Sequence, residues 1–136
     1  MLKWLRQLFG SSKPSPPPAR PAASIPQYGS HEVSPQEVKK KLDDGESIIL
    51  LDVREPQERQ IAVIPQAKHI PMGEIHARYK EISDDPAAEI IVFCHYSGRS
   101  EIVMHRLWGL GYQNAKVMLG GIDAWSVEID PKIPRY

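Results

Sequence analysis

The sequence contains a single cysteine, which is too few for an internal disulfide or for a zinc site built from several thiolates. A reducing compartment such as the cytoplasm is therefore the simplest expectation. The five histidines show no His-x3-His or comparable spacing, so no metal site is expected. Lysine plus arginine and aspartate plus glutamate number 17 each, and this balance argues against a nucleic-acid-binding surface.

The length sets the number of domains. With 136 residues and 41% hydrophobic content, the chain is long enough for one compact core and too short for two ordinary domains. Composition changes along the chain then predict four segments: a leader at residues 1–10, a Pro/Ser/Ala-rich linker at 11–30, a domain at 31–130 and a C-terminal tail at 131–136. Residues 126–136 show no clear helix or strand pattern.

The leader has an amphipathic pattern, because Leu2, Leu5, Leu8 and Phe9 fall on one side of a helical wheel. It is too short to span a membrane and lacks the apolar centre of a secretory signal. An isolated helix of this length is marginal in water, so we expect it either to fray or to contact a membrane or a partner protein. The expected location is the cytoplasm, and the two alternatives are peripheral membrane association and organelle targeting through this leader. The linker is expected to be an extended spacer.

The domain alternates helical and strand patterns. Ser34-Pro-Gln-Glu37 forms a capping box that predicts a helix over residues 34–44. The uninterrupted apolar run at 48–51 is typical of a strand buried on both faces. Further elements follow in the same alternation: strands at 68–70, 89–93 and 115–118, and helices at 74–82 and 99–110. The chain is therefore predicted to be an α/β domain with a parallel sheet.

The only cysteine lies where a strand gives way to a helix. The apolar strand at 89–93 ends at Cys94, and the helix begins near Arg99. Backbone N–H groups of a short loop and of a helix's first turn favour negative charge, and an arginine nearby adds to this effect. Cys94 is thus a candidate nucleophile with Arg99 beside it. The alternative is a small buried hydrophobic residue.

Three motifs carry a resemblance to a known family. Arg99 is the fifth residue after Cys94, one fewer than in the Cys-x5-Arg loop of tyrosine phosphatases, and this loop resembles the active-site loop of the rhodanese family of sulfurtransferases. The segments Leu51-Asp-Val-Arg-Glu-Pro56 and Leu119-Gly-Gly-Ile-Asp-Ala-Trp125 resemble two further rhodanese signatures. The resemblance implies a five-stranded parallel sheet with helices on both faces. Trp125 is expected to pack on the core.

The sequence departs from the family pattern in two loops. Ala62, Val63 and Gln66 stand where the family usually has Gly, His and Gly. In the second loop, Gly98 is the fourth residue after Cys94, whereas many rhodaneses have glycine at the third.

Asp52 and Arg54 follow the first long strand, at the sheet edge where α/β proteins place their sites. These two side chains either line the pocket or, as we favour, form an ion pair that ties adjacent loops.

The resemblance also implies an activity. Cys94 would take the outer sulfur of a small sulfur-containing anion such as thiosulfate and pass it as a persulfide to cyanide or a thiol, with no metal or organic cofactor. The expected substrate-binding residues are His95, Tyr96, Ser97, Gly98 and Arg99. Two alternatives are a non-catalytic binding or sulfur-delivery module docked by the N-terminal segment and, disfavoured by loop length, a phosphatase or arsenate reductase. The oligomeric state is not predicted.

Overall fold

The computed structural model describes residues 31–136. The predicted leader and linker lie outside these residues. In the described part, five parallel strands form one sheet in the order β1-β5-β4-β2-β3. The strands are β1 (Glu32–Val33), β2 (Ile48–Asp52), β3 (Lys68–His69), β4 (Glu89–Phe93) and β5 (Ala115–Met118). The predicted five-stranded parallel sheet is confirmed.

The helices connect the strands and cover both faces of the sheet. They are α1 (Pro35–Asp43), α2 (Pro56–Arg59), α3 (Ile75–Arg78), α4 (Gly98–Gly109) and α5 (Gly121–Glu128). The predicted capping box is present at the start of α1, where the Ser34 hydroxyl accepts a hydrogen bond from the Glu37 amide at 3.1 Å. This bond satisfies an amide that has no partner within the helix.

Alternate residues of β4 supply two separate apolar layers. Ile90 and Val92 point to one face and pack with α4, whereas Ile91 and Phe93 point to the other and pack with α1 and α5. Because successive strand side chains face opposite ways, a strand with helices on both sides must be apolar throughout. Trp125 is buried in the second layer, as predicted.

The prediction of one continuous helix over residues 74–82 is wrong. The segment consists of a 3-10 turn at Met72–Glu74, the short α3, and a second 3-10 turn at Tyr79–Glu81. Arg78 leaves the helical region (φ −125°, ψ 7°), and the Ile82 amide bonds to the Tyr79 carbonyl three residues back. Lys68 donates to the Ile82 carbonyl, so the segment ends against β3 instead of continuing as a helix.

The loop between α2 and β3 forms without the glycines that the family uses there. No residue other than glycine has a positive φ in residues 31–136, so Ala62, Val63 and Gln66 follow ordinary backbone paths. Ala62 and Ile64 are buried in the second apolar layer. The departures from the family pattern are therefore accommodated without backbone strain.

The described residues also bear on membrane insertion. Between residues 31 and 136 no helix combines the length and apolarity that crossing a bilayer requires.

Candidate active site

Cys94 lies at the carboxyl end of the central strand β4, with strands bonded on both sides of it. Its side chain is 1% exposed, and its Sγ lies 3.6 Å from the Oγ of Ser100 in the first turn of α4. The Ser100 hydroxyl donates to the Ser97 carbonyl at 2.8 Å. The thiol therefore belongs partly to the apolar layer beneath α4 and partly to the polar start of that helix.

The loop after Cys94 is held by the start of α5. The Ile122 amide donates to the Cys94 carbonyl at 2.9 Å, and the Asp123 amide donates to the His95 carbonyl at 3.2 Å. A Cβ on Gly121 would stand 2.5 Å from the carbonyl oxygens of residues 94, 95 and 96 alike. Three successive carbonyls thus converge on one glycine.

This convergence fixes the direction of the loop's amides. In a trans peptide the N–H points opposite to the C=O, so the N–H groups of residues 95–97 face away from Gly121. The described residues contain no cis peptide and no acceptor bonded to these amides. A concave row of unpaired N–H groups binds anions. The loop has the geometry of an anion cradle at the start of α4.

Arg99 forms a two-point ion pair with Glu58 of α2. Nη1 donates to Oε2 at 2.6 Å and Nη2 donates to Oε1 at 2.9 Å. The hydrogen bonds with Glu58 raise the pKa of Arg99, with a smaller contribution from the charge of Cys94. A carboxylate from a different helix therefore already holds the guanidinium that the sequence placed beside the thiol.

Glu58 is the partner of Arg99 that the sequence did not reveal. Its pKa is lowered from 4.5 to about 2, chiefly by the hydrogen bonds from Arg99 and also by a backbone hydrogen bond and the Tyr136 hydroxyl. The carboxylate is therefore charged at neutral pH. The only local signal was its place three residues after Glu55, whose amide it accepts at 2.9 Å. That signal marks a helix start and says nothing of Arg99.

Aromatic rings flank the residue next to the thiol. His95 stacks on Tyr136 at 3.9 Å with an interplanar angle of 5°, and its other face stacks on Tyr96 at 4.0 Å. Tyr96 is 55% exposed, so it forms the outer ring of the stack. Tyr136 was not predicted to approach the loop, and no pattern in the tail indicated that it does.

The remaining predicted loop residues shape the helix start. The Ser97 carbonyl accepts a hydrogen bond from the Glu101 amide at 3.1 Å, and Ser97 is the N-cap of α4. Gly98 is the exposed first residue of that helix. The helix begins one residue earlier than predicted. The six predicted residues thus run from the end of β4, through a three-residue loop, into the first turn of α4.

Asp52 and Arg54 form the buried ion pair that the sequence favoured. Arg54 is 0% exposed and donates to Asp52 from Nε at 2.9 Å and from Nη2 at 2.7 Å. Arg54 Nη2 also donates to the Ala62 carbonyl at 2.8 Å. The pair ties the end of β2 to the loop after α2, as expected for a structural role. Arg54 Nη1 also donates to the Tyr136 hydroxyl at 3.0 Å.

The tail is more ordered than the sequence indicated. Helix α5 continues to Glu128, past the point where the expected irregular tail begins. Beyond it, Ile133 is buried and Arg135 pairs with Asp123. The segment 129–136 therefore packs back onto the domain.

Within residues 31–136 no three His, Cys, Asp or Glu side chains are grouped as metal ligands.

Comparisons with known proteins agree with this fold. The rhodanese-like domain family model matches residues 34–128. YtwF of Bacillus subtilis is 36% identical over 74% of this chain and 95% of its own length. The adenylyltransferase and sulfurtransferase MOCS3-2 of Zea mays is 33% identical over 94% of this chain and 28% of its own length.

A solved structure of similar size is also related. The human single-domain sulfurtransferase TSTD1 is 26% identical, with a TM-score of 0.64 over 74% of this chain and 98% of that one. This chain spans only 53% of the curated relative YrkF of Bacillus subtilis and 28% of MOCS3-2. From the family match over most of the described residues and the shared sheet, the chain belongs to the rhodanese-like domain family.

Proposed function

We propose that the protein is a sulfurtransferase that carries sulfur as a persulfide on Cys94. The Cys94 thiolate attacks the outer sulfur of a donor such as thiosulfate. The sulfur–sulfur bond of the donor breaks, its electron pair leaves with sulfite, and a new sulfur–sulfur bond forms on Cys94. A thiol or cyanide then attacks the outer persulfide sulfur, and the Cys94 thiolate is released for another cycle.

The observation that carries this proposal is the convergence of three loop carbonyls on Gly121. It leaves the amides of residues 95–97 directed to the opposite side, where they would stabilise a negatively charged sulfur. Such donors are already oriented before the reaction, so they need not reorganise as charge develops. His95, Tyr96, Ser97 and Gly98 act in this proposal mainly through their backbone.

Arg99 would orient the donor. Thiosulfate and the departing sulfite are anions, and a guanidinium binds oxyanions through paired N–H groups. Because Glu58 holds both Nη atoms, the donor competes with that carboxylate or uses the remaining N–H groups. The ion pair thus keeps the side chain oriented near the thiol while moderating its charge.

Loop size favours sulfur over phosphate as the bound group. Four residues separate Cys94 from Arg99, which resembles the rhodanese loop and is one residue shorter than the phosphatase loop. The names of two related proteins also include sulfur transfer, those of MOCS3-2 and human TSTD1. The lone cysteine is consistent with action in a reducing compartment, and we propose the cytoplasm.

The decisive test is a mass measurement on the intact protein. The wild type and a Cys94→Ser variant are incubated with thiosulfate, desalted and weighed. We expect a gain of one sulfur atom in the wild type alone, and its removal by cyanide. An unchanged wild-type mass, or the same gain in Cys94→Ser, contradicts the proposal. Loss of aryl phosphate turnover in the same variant would support phosphatase activity instead.

A second candidate function is sulfur delivery to a protein partner, with the N-terminal segment as the docking element. It is favoured by the relatives in which this domain is a fraction of a longer chain, such as MOCS3-2. Deletion of residues 1–30 separates the two. Sulfur transfer to small acceptors should survive the deletion, whereas recruitment to a partner or membrane should be lost if this segment docks the domain.

A further inference from the structure

The segment 129–136 is attached to the domain at several points. Ile133 is 7% exposed in the second apolar layer, and its carbonyl accepts a hydrogen bond from the Ser126 hydroxyl. Arg135 donates to the carboxylate of Asp123 in α5 at 2.9 and 3.2 Å. These contacts carry the chain from the end of α5 back past its first turn, which is also the turn that holds the Cys94 loop.

Tyr136 is the residue of this segment that reaches the candidate site. Its hydroxyl donates to Glu58 Oε1 at 2.8 Å and accepts from Arg54 Nη1 at 3.0 Å. Its ring lies flat on His95, the residue after Cys94. Burial and the hydrogen bond to Glu58 raise the pKa of Tyr136 to about 12, so the hydroxyl remains a donor at neutral pH.

The same carboxylate oxygen serves two donors. Glu58 Oε1 accepts from Tyr136 and from Arg99 Nη2, while Oε2 accepts from Arg99 Nη1 and from the Glu55 amide. Each additional donor takes part of the negative charge and reduces the hold of the carboxylate on the arginine. It also fixes the plane of the carboxylate, and hence the plane of the guanidinium.

We infer that Tyr136 is a positioning residue that acts through Glu58, setting how much of the Arg99 charge is offered to an anion at Cys94. The inference rests on the proposed role of Cys94 and Arg99 in binding an anion. It adds a residue that no sequence motif identifies, 37 positions after Arg99. Removing the hydroxyl leaves the Glu58 carboxylate with Arg99 and the Glu55 amide as its donors, so it holds Arg99 more strongly and an approaching anion meets a more neutral arginine.

The test compares two alkylating reagents of similar size and different charge. Iodoacetate is an anion and iodoacetamide is neutral, and each forms a carbon–sulfur bond with a thiolate while iodide leaves. The ratio of their rate constants at Cys94, followed by intact mass, reports the attraction of the loop for an anion. Because the probe is alkylation, it does not require sulfur transfer and can fail independently of the thiosulfate experiment.

Tyr136→Phe keeps the ring on His95 and removes only the hydroxyl. We expect the iodoacetate-to-iodoacetamide ratio to fall about fivefold, the order of one hydrogen bond's contribution. Glu58→Ala should raise the ratio, because Arg99 is then unpaired. In the Glu58→Ala background, Tyr136→Phe should have no further effect, which a purely structural role for the tyrosine does not predict.

Tyr112→Phe is the matched control. Its hydroxyl donates to the Ser83 carbonyl at 2.7 Å, and Tyr112 precedes β5, at the edge of the sheet opposite Cys94. This variant is expected to lose some stability and to keep the wild-type ratio. An unchanged ratio in Tyr136→Phe, an equal effect with and without Glu58, or a wild-type Cys94 that neither reagent alkylates overturns the inference.

Discussion

The Cα atom of Gly121 packs against the carbonyl oxygen of Cys94 so closely that a Cβ atom would stand 2.5 Å from it. Gly121 also has a φ of +59°, a backbone conformation that residues with a Cβ rarely adopt. One glycine therefore meets two requirements: the turn into α5 and the close approach of three loop carbonyls, which leaves the amides of residues 95–97 facing the other way.

The first prediction concerns this glycine. Gly121→Ala adds backbone strain and a clash with three carbonyl oxygens. We therefore expect the free energy of unfolding, measured in urea, to fall by about 3 kcal/mol. Gly109→Ala is the control, because nothing lies within 4 Å of a Cβ there. That variant should be neutral or more stable by up to about 1 kcal/mol. Equal stability of the two variants would contradict the packing described.

The second prediction concerns the acid dependence of stability. The pKa of Glu58 falls from 4.5 in the unfolded chain to about 2 in the folded one, mainly because Arg99 donates to it. Its contribution to stability is therefore complete above about pH 5 and is lost as the pH falls toward 2. We expect it to be about 2 kcal/mol, reduced from the full value because solvent partly screens the pair.

The measurement compares the wild type with Glu58→Gln by urea unfolding between about pH 2.5 and about pH 7, the range over which the contribution of Glu58 to stability should change. Other carboxylates titrate in both proteins, so only the difference between them is assigned to Glu58. The gap in stability should be widest near neutral pH and shrink on acidification. A gap that stays constant with pH would mean that Glu58 contributes no charge-dependent stability.

The third prediction concerns the buried pair of Asp52 and Arg54. Arg54→Leu leaves the Asp52 carboxylate without its main partner at 1% exposure, so we expect a loss of about 3–5 kcal/mol in the free energy of unfolding. Lys39→Leu, which removes an exposed pair with Asp43, is the control. Its unfolding midpoint should stay within the error of the measurement, and a comparable loss there would remove the distinction between buried and exposed pairs.

The fourth prediction concerns the donor. If Arg99 orients thiosulfate, Arg99→Gln should lower kcat/KM for sulfur transfer about 10- to 100-fold, the range expected for charge-assisted hydrogen bonds. Arg99→Lys should recover part of this loss, because a lysine keeps the charge without the paired geometry. Arg106→Gln, on the exposed side of the same helix, is the control. Unchanged kinetics in Arg99→Gln would remove the arginine from the proposal.

Local patterns foretold most of the fold. The capping box at Ser34, the apolar run of β4 and the position of Cys94 before a helix each depend on residues a few positions apart. Those interactions are decided within one element, so the order of residues is enough to predict them. The broken helix at 72–81 was missed because its ends are set by contacts with β3 and the core.

The amino-acid sequence alone determined the order of strands β2 to β5, the positions of helices α1 and α4, the single thiol at the carboxyl end of a buried strand, and the arginine five residues beyond it. Only the tertiary structure decided that Arg99 is held by Glu58, that the Tyr136 hydroxyl donates to the same carboxylate, and that three loop carbonyls lie close to Gly121. The physical reason is distance along the chain. Hydrogen bonds between residues 41 and 78 positions apart exist only after the sheet has assembled, and no local pattern encodes them.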